Sequence, residues 1–178
     1  MNKIDAHLGN RFIDKYYSNY EIHRQYEKWE LSNSEFIKIL MEWSEFKIPE
    51  EKLKFIYADL FEVNEETVSL LPLLKKNYKL VLLSNTNFIH QKYGWEKYSF
   101  LKNFNKLILS HEVGATKPEE IIYRAVEAFT KEKPECHLFI DDIEEYVNAA
   151  KKCGWKGFQF TSHKNLLSDL ETININVR

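Results

Sequence analysis

His137-Leu138-Phe139-Ile140-Asp141-Asp142 is a short apolar run that ends in two adjacent carboxylates. Three apolar residues bounded by charge are too few for a helix and read as a buried parallel strand. The carboxylates then stand at the strand's carboxyl end, the edge of an open α/β sheet where ligands bind. Adjacent carboxylates repel one another and resist desolvation, so a partly buried pair calls for a cation, a metal ion or protons. A hard divalent cation, Mg²⁺ above all, meets that need. The alternative is a solvated turn in which Asp142 caps a helix starting near Ile143.

Outward from this stretch the chain alternates between two periods. Upstream, Thr67 to Lys76 has the spacing of an amphipathic helix with Pro72 in its first turns, and Leu80 to Leu83 is a second buried strand ended by Ser84-Asn85-Thr86-Asn87. A helix is expected from about His90, a strand at Leu107-Ile108-Leu109, and a helix from Glu119 to Phe129 after Lys117-Pro118. Downstream, Asp142 to Cys153 reads as a helix closed by Gly154, and Gly157 to Phe160 as a last strand. Helix and strand in alternation predict a parallel sheet with right-handed crossovers. Before residue 67 the pattern differs. Phe12, Tyr16, Tyr17 and Tyr20, then Phe36, Ile37, Leu40, Met41 and Trp43 behind Ser32 and Ser34, then Leu53, Ile56 and Leu60 behind Pro49, predict three or four helices and no parallel strand. Tyr26, Trp29 and Trp43 fit equally as core or as the wall of a pocket.

The 178 residues suffice for one good core, with room for a small subdomain. With 44% hydrophobic and 15% aromatic residues the composition is globular. Lysine and arginine number 25 against 27 acidic residues, a net charge of −2 with the signs interspersed, so nothing asks for nucleic acid. Cys136 and Cys153 are too few for a disulfide framework and lack the neighbours of a zinc site. With no long apolar run and no signal-like amino terminus, the expectation is a cytoplasmic protein without membrane contact.

Ser84 offers a hydroxyl, with backbone N–H groups after it, for a phosphate oxygen or another oxyanion. Lys117, in Gly114-Ala115-Thr116-Lys117-Pro118-Glu119, is a cation delivered to a defined position by the proline beside it. In this order, Leu82-Leu83-Ser84-Asn85-Thr86-Asn87, Lys117-Pro118 and Phe139-Ile140-Asp141-Asp142 resemble the second, third and fourth motifs of the haloacid-dehalogenase-like (HAD) hydrolase superfamily. Val147-Asn148-Ala149-Ala150 and Gly154-Trp155 resemble its stretch after the fourth motif. Gln25-Tyr26-Glu27-Lys28-Trp29-Glu30, with Ser34-Glu35-Phe36, is similar to the small helical cap of one branch. The resemblance implies a Rossmann-like α/β core over residues 67–178 and a cap over 1–66. It implies Ser84, Asn85 and Lys117 on the substrate phosphoryl group, Lys117 as the catalytic cation, and Asp141 and Asp142 holding Mg²⁺. The implied activity is that of a phosphatase acting on a small phosphorylated molecule.

The family's first motif, an Asp-x-Asp on the first core strand that carries the nucleophile, has no counterpart. The aspartates are Asp5, Asp14, Asp59, Asp141, Asp142 and Asp169, no two of them spaced by two, and Asp5 follows no apolar strand. Without that carboxylate covalent phosphoryl transfer does not proceed, so the chain is expected to be inactive as it stands. A missing central strand would also leave buried N–H and C=O groups at about 1–3 kcal/mol each, against about 5–15 kcal/mol for a whole domain. Two explanations follow: an upstream segment that supplies strand and nucleophile, or a catalytically dead relative that binds without turnover. An unrelated doubly wound domain is the third reading, favoured if Ser84, Lys117 and Asp141 do not converge.

Overall fold

The computed structural model describes residues 6–177, which separate into two compact units. The helical unit comprises the described residues up to Glu62 together with Asn85–Tyr98 and Ser110–Gly114, and the α/β unit comprises Val63–Ser84, Ser99–Leu109 and the described residues from Ala115. Packing therefore divides the chain with two excursions, whereas the sequence pattern suggested a single boundary after residue 66.

The helical unit holds α1 (Ala6–Ser18), α2 (Tyr20–Glu27), α3 (Asn33–Trp43) and α4 (Glu50–Ala58). A capping box opens α3: the Ser32 hydroxyl accepts from the Glu35 N–H while the Glu35 carboxylate accepts from the Ser32 N–H at 2.8 Å. The apolar faces meet in a core around Phe12, Tyr26, Phe36, Leu40 and Leu53, with Tyr26 stacked on Phe36 at 4.0 Å. Tyr26 and Trp43 are thus core, whereas Trp29 lies half exposed. The first excursion contributes a π-helix (His90–Trp95), packed on α4 where Gly94 comes so close that a Cβ would stand 2.9 Å from the Ala58 carbonyl.

In the α/β unit, α5 (Glu65–Val68) and α6 (Leu71–Leu74) precede β1 (Val81–Ser84) and β2 (Lys106–Leu109). The single helix expected over 67–76 is in fact these two turns. Asn64 caps the first by accepting from the Thr67 N–H at 3.0 Å, and Pro72, having no N–H to give the Val68 carbonyl, separates it from the second. β1 and β2 pair in parallel, Val81 opposite Lys106 through Ser84 opposite Leu109. After the one-turn α7 (Ser110–Val113) of the helical unit, α8 (Glu120–Thr130) packs on β1 and β2. β3 (Leu138–Asp141) pairs in parallel with β4 (Lys156–Gln159), and α9 (Glu144–Lys152) covers both before α10 (His163–Thr172). Among the described residues β1 pairs only with β2 and β3 only with β4, so the parallel strands form two separate ladders.

The paired helix α9 shows why these residues fold as they do. Glu144 and Glu145 open it and Lys151 and Lys152 close it, each sign complementing the helix dipole. Gly154 then takes φ +91°, and the Trp155 and Gly154 N–H groups return to the Ala150 and Lys151 carbonyls in a Schellman turn. That turn sends Trp155 back under the sheet, where its ring stacks on His137 and meets Tyr123 and Phe139 edge-on. Gly157 on β4 lies so close to α9 that a Cβ would stand 2.9 Å from Val147 Cγ1. Gly157→Ala is expected to lower stability by about 1–3 kcal/mol through overpacking, read as a reduced urea midpoint at unchanged slope.

Candidate functional site

The tip of β3 carries the centre of the site. Asp141 is its last residue, and its Oδ2 accepts a hydrogen bond from Lys117 Nζ at 2.6 Å while its Oδ1 accepts the Ile143 N–H at 2.9 Å. Both side chains are buried, at 8% exposure for Lys117 and 9% for Asp141. The ammonium also lies 5.0 Å from the Tyr146 ring centroid and 5.6 Å from that of Phe139, so two π-faces add to the carboxylate in holding it. The loop that delivers Lys117 is tied in turn: Glu119 Oε1 accepts from the Thr116 hydroxyl at 2.8 Å and from the Thr116 N–H at 3.2 Å.

Asp142 follows in the exposed turn, its backbone carbonyl accepting from the Gln159 side chain at 2.9 Å. It does not cap the next helix. The cap position belongs to Ile143, without a side-chain bond, and the turn is closed by Asp141. Ser84 ends β1 opposite Leu109, in the same unit as Lys117, Asp141 and Asp142. The structure thus brings Lys117 and Asp141 into contact, and leaves Asp142 beside them with its side chain toward water. Among the described residues no group of three or more His, Cys, Asp or Glu side chains forms a metal cluster. Asp5, set aside as a nucleophile from its neighbours, lies outside the described residues.

From Asn85 the chain enters the helical unit, and its course there is fixed by a buried network that sequence inspection did not find. Ser110 Oγ donates to the Thr86 carbonyl at 2.7 Å and accepts the Thr86 N–H at 2.9 Å, while Trp95 Nε1 donates to the Thr86 hydroxyl at 3.3 Å. Asn87 is fully buried; its Oδ1 accepts the His90 N–H at 3.0 Å, and its Nδ2 lies 3.2 Å from both the Tyr57 hydroxyl and His90 Nδ1. With Asn87 donating to it, the Tyr57 hydroxyl gives its own proton to His23 Nδ1 at 2.7 Å, and the far nitrogen of His23 faces Glu27 Oε1 at 3.3 Å. Burial pushes the Tyr57 pKa well up, keeping that hydroxyl a donor. The same logic puts the His90 proton on Nε2, a buried atom without a partner among the described residues, and burial with His23 nearby holds the His90 pKa down to about 3. These partners lie as much as 67 residues apart along the chain, from His23 to His90, and no spacing signals them.

Known proteins can be set beside this geometry. No family model matches the chain. A D-ribitol-5-phosphate phosphatase of Bacteroides thetaiotaomicron is 29% identical over 154 residues, which is 83% of this chain and 74% of that protein. A HAD family enzyme of the same organism superposes with a TM-score of 0.76 at 24% identity, over 92% of this chain and 89% of the other. Its wild-type complex with magnesium and inorganic phosphate gives 0.71 at 26%, covering 84% and 83%.

This chain belongs to the HAD-like hydrolase superfamily. As in other HAD-like proteins, the parallel strands and their covering helices form the α/β core.

Two outcomes follow from these buried contacts. Asp141→Asn leaves the Lys117 ammonium buried without its counter-charge, and the unfolding free energy should drop by about 3–5 kcal/mol, measured by chemical denaturation. His90 binds no proton in the folded state until about pH 3, whereas the unfolded chain takes one up below about pH 6.5. Its contribution to stability is therefore complete above that pH and is lost as the pH falls, by up to about 1.4 kcal/mol per unit. His90→Gln keeps an acceptor but cannot titrate in this range, so its urea stability between about pH 7 and 5 should fall less steeply than that of the wild type.

Proposed function

We propose that this protein is the phosphoryl-binding body of an Mg²⁺-dependent phosphatase acting on small phosphate esters, a sugar-alcohol phosphate such as that of the named relative being the leading class. The observation that carries the proposal is the buried Lys117–Asp141 pair at a strand tip, in the same unit as the end of the strand that carries Ser84. In this reading the Ser84 hydroxyl and the N–H groups around Asn85 would donate to phosphoryl oxygens, and Lys117 would offset the charge gathered there. Asp141 and Asp142 would hold the metal. Mg²⁺ takes one or two carboxylates, with waters and substrate phosphate completing its shell, so a two-carboxylate donor set fits it without a larger cluster. Asp141 suits this, since a carboxylate oxygen can accept a second bond beside the one it takes from Lys117 or from the Ile143 N–H, and Asp142 is exposed. When bound, the ion supplies positive charge to the phosphate oxygens. We take residues 1–66 as the cap and 67–178 as the core, and a cytoplasmic setting with no nucleic-acid partner; among the described residues no helix is long and apolar enough to cross a membrane.

None of the six aspartates supplies an Asp-x-Asp. We therefore propose that the nucleophile and its strand come from a segment upstream of residue 1, docking between β1 and β3. The two separate ladders support this reading. The same lack of an Asp-x-Asp favours, as the second reading, a catalytically dead protein that binds phosphate and metal. Calorimetry of the 178-residue chain should show Mg²⁺ and inorganic phosphate binding, weakened about tenfold or more for Mg²⁺ in Asp142→Asn. Absence of both bindings sinks the phosphatase reading. Hydrolysis of D-ribitol 5-phosphate should remain at background until in-frame upstream residues are restored. Mg²⁺-dependent turnover by the 178-residue chain would refute the missing nucleophile, and inactivity of the extended protein would favour the second reading.

A further inference from the structure

Within the α/β unit the Lys117 ammonium meets one carboxylate and two aromatic rings, and the rings differ from the carboxylate in kind. Nζ lies 2.6 Å from Asp141 Oδ2, 5.0 Å from the centroid of the Tyr146 ring and 5.6 Å from that of Phe139. Buried lysines are paired with counter-charges, and a second carboxylate here would set another negative charge where a phosphoryl group would approach. A π-face attracts an ammonium through its quadrupole and adds no net charge. The attraction is largest where water is excluded, and Lys117, Tyr146 and Phe139 are each only 7% exposed.

The cradle is assembled from both sides of Asp141. Phe139 stands two residues before it on β3, so the two side chains leave the same face of the strand. After it, Asp141 Oδ1 accepts the Ile143 N–H and fixes the turn into α9, whose first turn carries Tyr146. Tyr123 of α8 ties the two rings together: its hydroxyl donates to the Tyr146 carbonyl at 2.8 Å, and its ring meets that of Phe139 edge-on at 5.6 Å. Burial, with the Asp141 charge nearby, pushes the Tyr123 pKa up, which keeps that hydroxyl a donor. Backbone bonds and packing thus set the ring positions, and the lysine reaches into them from the loop ahead of α8.

We propose that Tyr146 is a positioning residue for phosphoryl binding: with Phe139 it holds the Lys117 ammonium at the strand tip by a cation–π contact, leaving the positive charge available to phosphate oxygens. The role rests on the phosphatase reading for the phosphate, but not for the contact between ring and ammonium. Fluorination separates that contact from packing, because it drains the quadrupole while the ring stays apolar and nearly the same size. The test series in the 178-residue chain is Tyr146→Phe and its mono-, di- and trifluorinated forms, with Tyr146→Leu beside it. The NMR signal of the Lys117 ε-methylene should lie upfield under the ring current in the wild type and Tyr146→Phe, and return to the ordinary lysine position in Tyr146→Leu. With each added fluorine the urea midpoint should fall. Calorimetric affinity for inorganic phosphate at saturating Mg²⁺ should drop about threefold or more from Tyr146→Phe to its trifluorinated form. A ring that only packs leaves midpoint and phosphate affinity level or rising along the series; that result, or a Lys117 signal unmoved in Tyr146→Leu, overturns the proposal. Absence of phosphate binding in the wild type overturns the phosphatase reading and the phosphoryl role with it, whereas a midpoint that still falls with fluorination assigns Tyr146 to holding Lys117.

Discussion

The buried contact between Lys117 and Asp141 is the constraint that most of the α/β unit answers to. An ammonium and a carboxylate withdrawn from water each carry a desolvation penalty of several kcal/mol, which only close geometry and further hydrogen bonds offset. The chain supplies those: the Ile143 N–H on the free carboxylate oxygen, and the Tyr146 and Phe139 rings around the ammonium. The pair also joins parts that strand pairing leaves apart. Lys117 lies just ahead of α8, which packs on β1 and β2, whereas Asp141 ends β3 in the other ladder. Tyr123 of α8 repeats the connection, its hydroxyl donating to the Tyr146 carbonyl at 2.8 Å and its ring set edge-on to Phe139.

A second constraint governs the segment that leaves β1. Asn85 to Asn87 has no secondary structure of its own, yet Thr86 and Asn87 are buried and their polar groups are matched by Ser110, Trp95, Tyr57 and His90. A satisfied buried network in a low-dielectric interior is rigid, because each displaced partner leaves an uncompensated polar group. One member departs from this: among the described residues the buried His90 Nε2 has no hydrogen-bond partner.

Much of this architecture could be read from residue order. Apolar runs bounded by charge located all four strands to within a residue or two, and the glycine after Cys153 marked the end of α9 because a left-handed turn there suits no other residue as well. Ser84, Lys117 and Asp141 stood out because polar groups at strand tips and beside proline are held by short-range rules. Where local rules competed, the reading slipped. Asn64 and Pro72 divided an expected helix into α5 and α6, and Asp141, not Asp142, closed the turn after β3 because its carboxylate was already oriented by Lys117.

The sequence by itself determined the alternation of helix and strand, the polar strand tips and the family, since each of these depends on neighbours within a few residues. Only the tertiary structure decided that Tyr26 and Trp43 are core while Trp29 is half exposed, that Asn87 is locked by Tyr57 and His90, and that β1 and β3 belong to separate ladders. These are properties of groups brought together from distant parts of the chain. Burial and hydrogen-bond satisfaction are set by all the neighbours a side chain acquires on folding, and no local periodicity encodes them.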